Sequence, residues 1–336
     1  MQQRDGDQRA EERCGREIRC GARRSEVDLI SNMKILTFAV LAAAGMQPVL
    51  ACDLCAVYAA TEAQGSGGTG FFGGVAQQFT HFGTLQFEGR EVASEGQYIE
   101  SSVSQLFAGY NFNDRISLQL NLPFIYRAFG SDSMHGTEEG IGDLSVIGNF
   151  RVYERLSENS TFRWTVLGGV KSPTGDSSRL NTPDSELPEG IGGHDLALGS
   201  GSFDGVVGTG TYVRWKKTFL TANAQYAIRS EGDFQHQYAN DLTWSAGPGA
   251  FLILNHKYTL ALQATISGEK KGKDTVAGEP DDDSAETVVY AGPQINFTWK
   301  SKLSAQLGAD FPVSRGNSGA QVTPDYRIRA AFTWRL

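Results

Sequence analysis

The last eleven residues, "YRIRAAFTWRL", alternate strictly between two kinds of side chain. Tyr326, Ile328, Ala330, Phe332, Trp334 and Leu336 form one set; Arg327, Arg329, Ala331, Thr333 and Arg335 form the other. Successive side chains of a strand point to opposite faces, so this segment has one apolar and one cationic face. The period recurs upstream. Ile116, Leu118, Leu120, Leu122, Phe124 and Tyr126 oppose Ser117, Gln119, Asn121 and Arg127; Leu260, Leu262, Ala264 and Ile266 oppose Thr259, Gln263, Thr265 and Ser267. No stretch after residue 65 shows comparable helical periodicity.

Strands are predicted near 70–82, 98–110, 115–127, 140–153, 160–172, 203–215, 217–229, 239–254, 257–267, 286–299, 302–312 and 325–336. Each is close to the roughly 9–11 residues that a tilted membrane strand needs. Connections after the even strands are a few residues long, whereas those after the odd strands are long, polar and glycine-rich, 173–202 being the longest. That alternation places tight turns at one end and loops at the other. A soluble sandwich would hide its apolar faces in one shared core. Here Tyr110, Phe112, Tyr126, Trp164, Trp215, Trp244, Trp299 and Trp334 flank the apolar sets, as interfacial girdles do in a membrane barrel. The expected fold is therefore all-β: a transmembrane antiparallel up-and-down barrel of about twelve strands in residues 70–336.

Upstream lies an export leader. Met33-Lys34 precedes "ILTFAVLAAAG", and Val49 and Ala51 occupy small-residue cleavage positions, so residues 33–51 read as a signal peptide. Residues 1–32, rich in arginine and acids, then read as a misassigned extension, and the exported chain begins at Cys52 with a short periplasmic segment, 52–69. The full chain carries a net charge of −8, which gives no reason to expect a nucleic-acid partner. Cys52 and Cys55 have C-x-x-C spacing without the following histidine of a haem attachment, and a thiol or disulfide pair is the expected reading. A periplasmic redox or metal-handling protein that docks on this segment is the alternative. The acidic run at Glu279 and Asp281–Asp283 reads as a solvated loop, and no metal or cofactor is expected. Five histidines, His81, His135, His194, His236 and His256, have no serine or paired acid at a persuasive spacing, so an enzyme is not expected.

Three glycine-rich stretches have a familiar form: Gly140, Gly142 and Asp143 in "GIGD"; Pro173, Thr174, Gly175 and Asp176 in "PTGD"; and Gly199, Ser200, Gly201, Ser202 and Asp204 in "GSGSFD". Together they resemble the outer-membrane family named for the meta-pathway of phenol degradation. The resemblance implies a porin-like barrel in the cell outer membrane, often linked to uptake of aromatic or other small apolar compounds.

Strand parity adds a candidate lumen. Arg127, Arg151, Arg163, Lys171, Arg214, Arg229, Arg327, Arg329 and Arg335 are expected to face inward, with Glu100, Asp143 and Asp310 opposing them. Arg127, Arg229, Arg327 and Arg329 are expected at similar height, as a cationic belt near the outer mouth. A cationic lining favours anionic solutes, so the expected function is a channel for passive uptake of small solutes, aromatic or anionic.

Overall fold

The computed structural model describes residues 69–336 apart from His256 and Ser301. The segments expected to be an extension (1–32) and a signal peptide (33–51), and Cys52 and Cys55, lie outside the described residues. The strands are β1 (Gly70–Phe87), β2 (Tyr98–Asn111), β3 (Ile116–Gly130), β4 in two segments (His135–Ile141 and Leu144–Leu156), β5 (Ser160–Ser172) and β6 (Asp204–Trp215). They continue as β7 (Thr218–Ile228), β8 (Asp241–Leu254), β9 (Tyr258–Lys271), β10 (Glu286–Trp299), β11 (Leu303–Asn317) and β12 (Ala320–Arg335). Each pairs antiparallel with its neighbours in sequence, and β12 pairs with β1, from Phe72 opposite Arg335 to Phe87 opposite Ala320. The result is a closed 12-strand barrel, an arrangement that leaves no open sheet edge in lipid.

The two faces see different solvents. On β3, Leu118, Leu120 and Phe124 are exposed, while Gln119, Asn121 and Arg127 are buried. On β12, Ile328 and Trp334 are exposed, while Arg327, Arg329 and Arg335 are buried. Val146, Val207, Leu220, Leu262, Ile295 and Leu307 continue the exposed apolar band around the barrel. So large a contiguous apolar surface is stable only against acyl chains, and the arginines of the terminal strand face the interior. The start of β1, the end of β12 and the five tight turns lie at one rim, the arrangement of the periplasmic end in outer-membrane barrels.

Two expectations fail at the other rim. Loops were expected across 128–139 and 313–324, but β3 and β4 run on to a turn at 131–134, and β11 and β12 close through residues 318–319. These extensions rise beyond the apolar band, where both faces can be polar and a period-2 pattern of hydrophobicity disappears; hydrogen-bonding requirements keep the backbone paired. Glu100 is the second correction. It stands opposite His81 on the outward-facing set, 3.8 Å from the imidazole, and does not point into the lumen.

The break in β4 has a local cause. Pro123 in β3 has no N–H to donate to the ladder, and β4 is interrupted alongside it, at Gly142–Asp143. Gly142 still donates to the Pro123 carbonyl at 2.9 Å, and a Cβ there would come within 2.6 Å of the Ile125 side chain. The interruption leaves Asp143 buried inside the barrel.

Candidate lumen site and its loop plug

Asp143 is the hub of the interior. One carboxylate oxygen accepts the backbone N–H groups of Thr174 (3.1 Å) and Gly175 (3.0 Å). The other accepts from Lys171 Nζ, Ser200 N and Ser200 Oγ, each at 2.9 Å. The three glycine-rich motifs of the sequence thus meet at one carboxylate. Close approach demands the glycines: a Cβ on Gly175 would lie 2.5 Å from the Leu198 carbonyl, and one on Gly199 would lie 2.5 Å from the Gly175 carbonyl.

From this clasp the 173–203 connection folds into the outer mouth as a plug. It contains 3₁₀ turns at Ser178–Asn181 and Asp184–Glu186 and one short helix, α1 (Gly193–Leu196). Ile191 and Leu196 of the plug pack with Leu85, Ile99, Phe129 and Val322 from four barrel strands, and Leu198 packs with Val103 and Ile125. Polar ties complete the seating: Arg127 Nη1 donates to the Ala197 carbonyl at 2.6 Å, Val322 N to the Gly190 carbonyl at 2.9 Å, and Arg179 pairs with Glu138. The inner walls at this rim are apolar because they receive apolar loop residues, so Ile99, Ile125 and Phe129 face inward although they are hydrophobic.

The inward-facing charges predicted from parity fall into three groups. Lys171 bridges Asp143 and Asp204, and Arg229 bridges Asp204 (2.9 Å) and Asp241 (2.7 Å). Across the lumen, Arg327 and Arg329 share Asp310 at 2.9 and 2.7 Å, and the Arg327 guanidinium lies 4.1 Å from the Tyr290 ring centroid. Arg151, Arg163, Arg214 and Arg335 line the periplasmic end. The belt is therefore divided: Arg127 and Arg229 border a cavity beside the plug, whereas Arg327 and Arg329 border a separate small void.

Asp241 and Glu154 belong to these networks and were not singled out from the sequence; Asp204 was named there for the family resemblance and not as a lumen charge. Asp204 shares its parity with Arg214 on β6, a signal sufficient to find it. Glu154 pairs with Arg151 (2.8 Å) and Arg163 (2.6 Å), but a bulge between Arg151 and Tyr153 reverses the parity there, and bulges leave little trace in sequence.

Above the plug, two loops are tied together by Asp274. It accepts Lys271 Nζ (2.8 Å) and the Ala239 N–H (2.8 Å) and lies 3.3 Å from His236 Nε2. A three-stranded patch, His236–Gln237, Thr275–Val276 and Glu279–Pro280, joins the same loops. Tyr238 then donates its hydroxyl to the His194 carbonyl of α1 at 3.0 Å. Burial would raise the Asp274 carboxyl, but the Lys271 ammonium and the His236 hydrogen bond outweigh it and hold it below the usual carboxylate range. A depressed folded value means that this contribution is fully present above the unfolded carboxylate pKa and is lost as pH falls towards the folded one. Asp274→Asn should flatten the acid limb of barrel stability below about pH 4, measured by gel-shift unfolding in a pH series; parallel curves for the two proteins would refute this.

The lumen contains a vestibule of about 590 Å³ at the periplasmic end and a cavity of about 170 Å³ beside the plug. Between them lies a septum of buried side chains, including Gln78, Gln105, Gln119 and Asn121, with voids of about 20 Å³. Both amide atoms of Gln78 and of Gln105 are buried without a hydrogen-bond partner among the described residues. Voids of that size hold a single water.

Residues 63–323 match the sequence profile of the family described as "Putative MetA-pathway of phenol degradation". The chain belongs to this family. No curated protein matches the chain. Among solved structures, it is similar to an outer-membrane channel from Pseudomonas putida F1, with 17% identity and a TM-score of 0.61, over 82% of this chain and 98% of that one. At this identity the likeness shows the fold: an outer-membrane β-barrel. The translocator domain of the autotransporter NalP from Neisseria meningitidis is also similar, at 15% identity and a TM-score of 0.41, over 83% of this chain and 93% of that one, too low a score to support an argument.

Proposed function

We propose that this family member is a plugged, solute-selective channel of the outer membrane, not an enzyme and not an open general pore. The observation that carries the reading is the divided lumen: cavities of about 590 and 170 Å³ on either side of a septum with only water-sized voids. A barrel serving only as a membrane anchor could fill its interior throughout. An open porin would have no septum and no seated plug. Solute class is then set by which groups the cavities present, and passage requires movement of the plug, the septum or both. The names of similar proteins support the same reading, since one is an outer-membrane channel.

Planar-bilayer recording of the refolded chain tests it. The intact barrel should show small or infrequent openings, and replacing residues 178–196 with a short glycine-serine linker should raise conductance severalfold. Silence from both proteins, in a bilayer where insertion is verified, would sink the channel.

A further inference from the structure

The charge in the lumen is unevenly distributed. Around the septum each cationic cluster is interleaved with carboxylates, Asp143, Asp204 and Asp241 on one side and Asp310 on the other. The periplasmic vestibule differs: Arg115, Arg151, Arg163, Arg214 and Arg335 line it, against Asp114 and the Glu154 that pairs with Arg151 and Arg163. Among the described residues, five guanidinium groups face two carboxylates. The hydrogen bonds of Arg214 go to neutral oxygens: Thr161 Oγ1 at 3.3 Å and the carbonyls of Lys216, Ser157 and Glu158.

Aromatic rings stand beside these cations on one wall. Arg214 is directly opposite Phe219 in the β6–β7 ladder, and Tyr212 is directly opposite Arg163 in the β5–β6 ladder. Directly paired residues share a face with Cβ atoms about 5 Å apart. The Tyr212 and Phe219 rings lie 5.8 Å apart at 29°, and Phe251 continues the row at 5.1 Å from Phe219. The row has its own structural requirement: a Cβ on Gly249 would sit 2.1 Å from the Phe219 ring, so a glycine keeps that ring in place. A vestibule of about 590 Å³ falls within the usual range for small-molecule sites.

We propose that this vestibule is a binding site for aromatic carboxylates, with the ring against the Tyr212–Phe219–Phe251 wall and the carboxylate on Arg214 and its neighbours. Guanidinium suits a carboxylate because its donors match the two oxygens in a planar, charge-assisted pair. The aromatic wall suits a flat ring through offset or edge contacts, which a ring-less anion cannot make. The vestibule would thus hold a permeating aromatic acid on the periplasmic side of the septum. The inference deepens the channel reading and rests on it for its biological meaning, but its test does not need ionic current.

Isothermal titration calorimetry of the refolded barrel in detergent, with benzoate, benzamide and acetate as probes, separates the two components of recognition. Benzoate should bind roughly tenfold tighter than benzamide, which lacks the charge, and than acetate, which lacks the ring. Benzoate affinity should fall between about 0.05 and 0.5 M salt. Arg214→Gln should lose the preference for benzoate over benzamide, and Phe219→Leu the preference for benzoate over acetate, with folding of each checked by heat-modifiable gel mobility. Equal affinities for the three probes, a salt-independent benzoate affinity, or a folded Arg214→Gln barrel that binds benzoate as before would overturn the proposal. If Arg214→Gln does not fold, the probe comparison and salt dependence of the unaltered barrel decide it. Benzoate binding by a barrel that carries no current would remove the channel and leave this site standing.

Discussion

Asp143→Ala is expected to destabilise the barrel by about 3–5 kcal/mol, the cost of breaking a buried ion pair by removing one partner. The side chain is buried, and its carboxylate receives five donors: the Lys171 ammonium, the Ser200 hydroxyl and three backbone N–H groups. Without it, Lys171 retains Asp204 as its carboxylate, which already serves Arg229. The N–H groups of Gly175 and Ser200 lose their acceptor, one at each end of the plug, while Thr174 keeps the Ser172 carbonyl at 2.9 Å. The same change should therefore loosen the 173–203 connection and increase channel opening. Asn is the informative control, because its one carbonyl oxygen can serve Thr174 and Gly175 while its amide cannot accept from Lys171 or Ser200; its penalty should be intermediate. Urea-dependent unfolding from lipid vesicles gives the stability and bilayer recording gives the opening. A loss within about 1 kcal/mol for Asp143→Ala, with unchanged conductance, would mean that the motifs do not act as a clasp.

Leu307→Arg is expected to cost about 2–4 kcal/mol, the penalty of a cation on the lipid face near the bilayer midplane. Leu307 is 53% exposed and sits opposite the equally outward Ile295 and Ala330. The neighbouring Gln306 faces the wet vestibule, so Gln306→Arg should cost under about 1 kcal/mol. Gln263 is a less suitable control than its parity suggests. It is buried and hydrogen-bonds Thr221, the Gly247 carbonyl, Gln294 and Asn296, so an arginine there would break a packed amide network. Refolding into vesicles with urea titration measures all three. Equal penalties at Leu307 and Gln306 would mean that lipid and water are assigned to the wrong faces.

The candidate site was partly legible. Parity alone sent Arg127, Lys171, Arg214, Arg229, Arg327 and Arg329 inward, because each lies on a strand whose opposite face is continuously apolar. Parity could not separate them into compensated and uncompensated groups. Arg229 and Arg214 read alike in sequence, yet one is held between Asp204 and Asp241 and the other is bonded to neutral oxygens. Glu100 shows the opposite failure: a glutamate assigned to the lumen stands beside His81 on the outward-facing set, at the height where β1 and β12 shift register.

A strand's choice of solvent is a local property. The two faces of "YRIRAAFTWRL" differ in transfer free energy residue by residue, so alternation over about ten residues is enough to assign lipid and water without knowing any partner strand. Strand number follows from counting such stretches and antiparallel order from the turns. The plug is different in kind. Its anchor joins Asp143 to Ser200, 57 residues away in sequence, and its apolar side chains fill a mouth built by β1, β2, β3 and β12, which become neighbours when the barrel closes. Leu187, Ile191, Leu196 and Leu198 carry no periodicity that distinguishes an exposed loop from a seated one. Their burial depends on distant surfaces brought together by ring closure, and so does the positive charge left in the vestibule, which is a sum over side chains from separate strands.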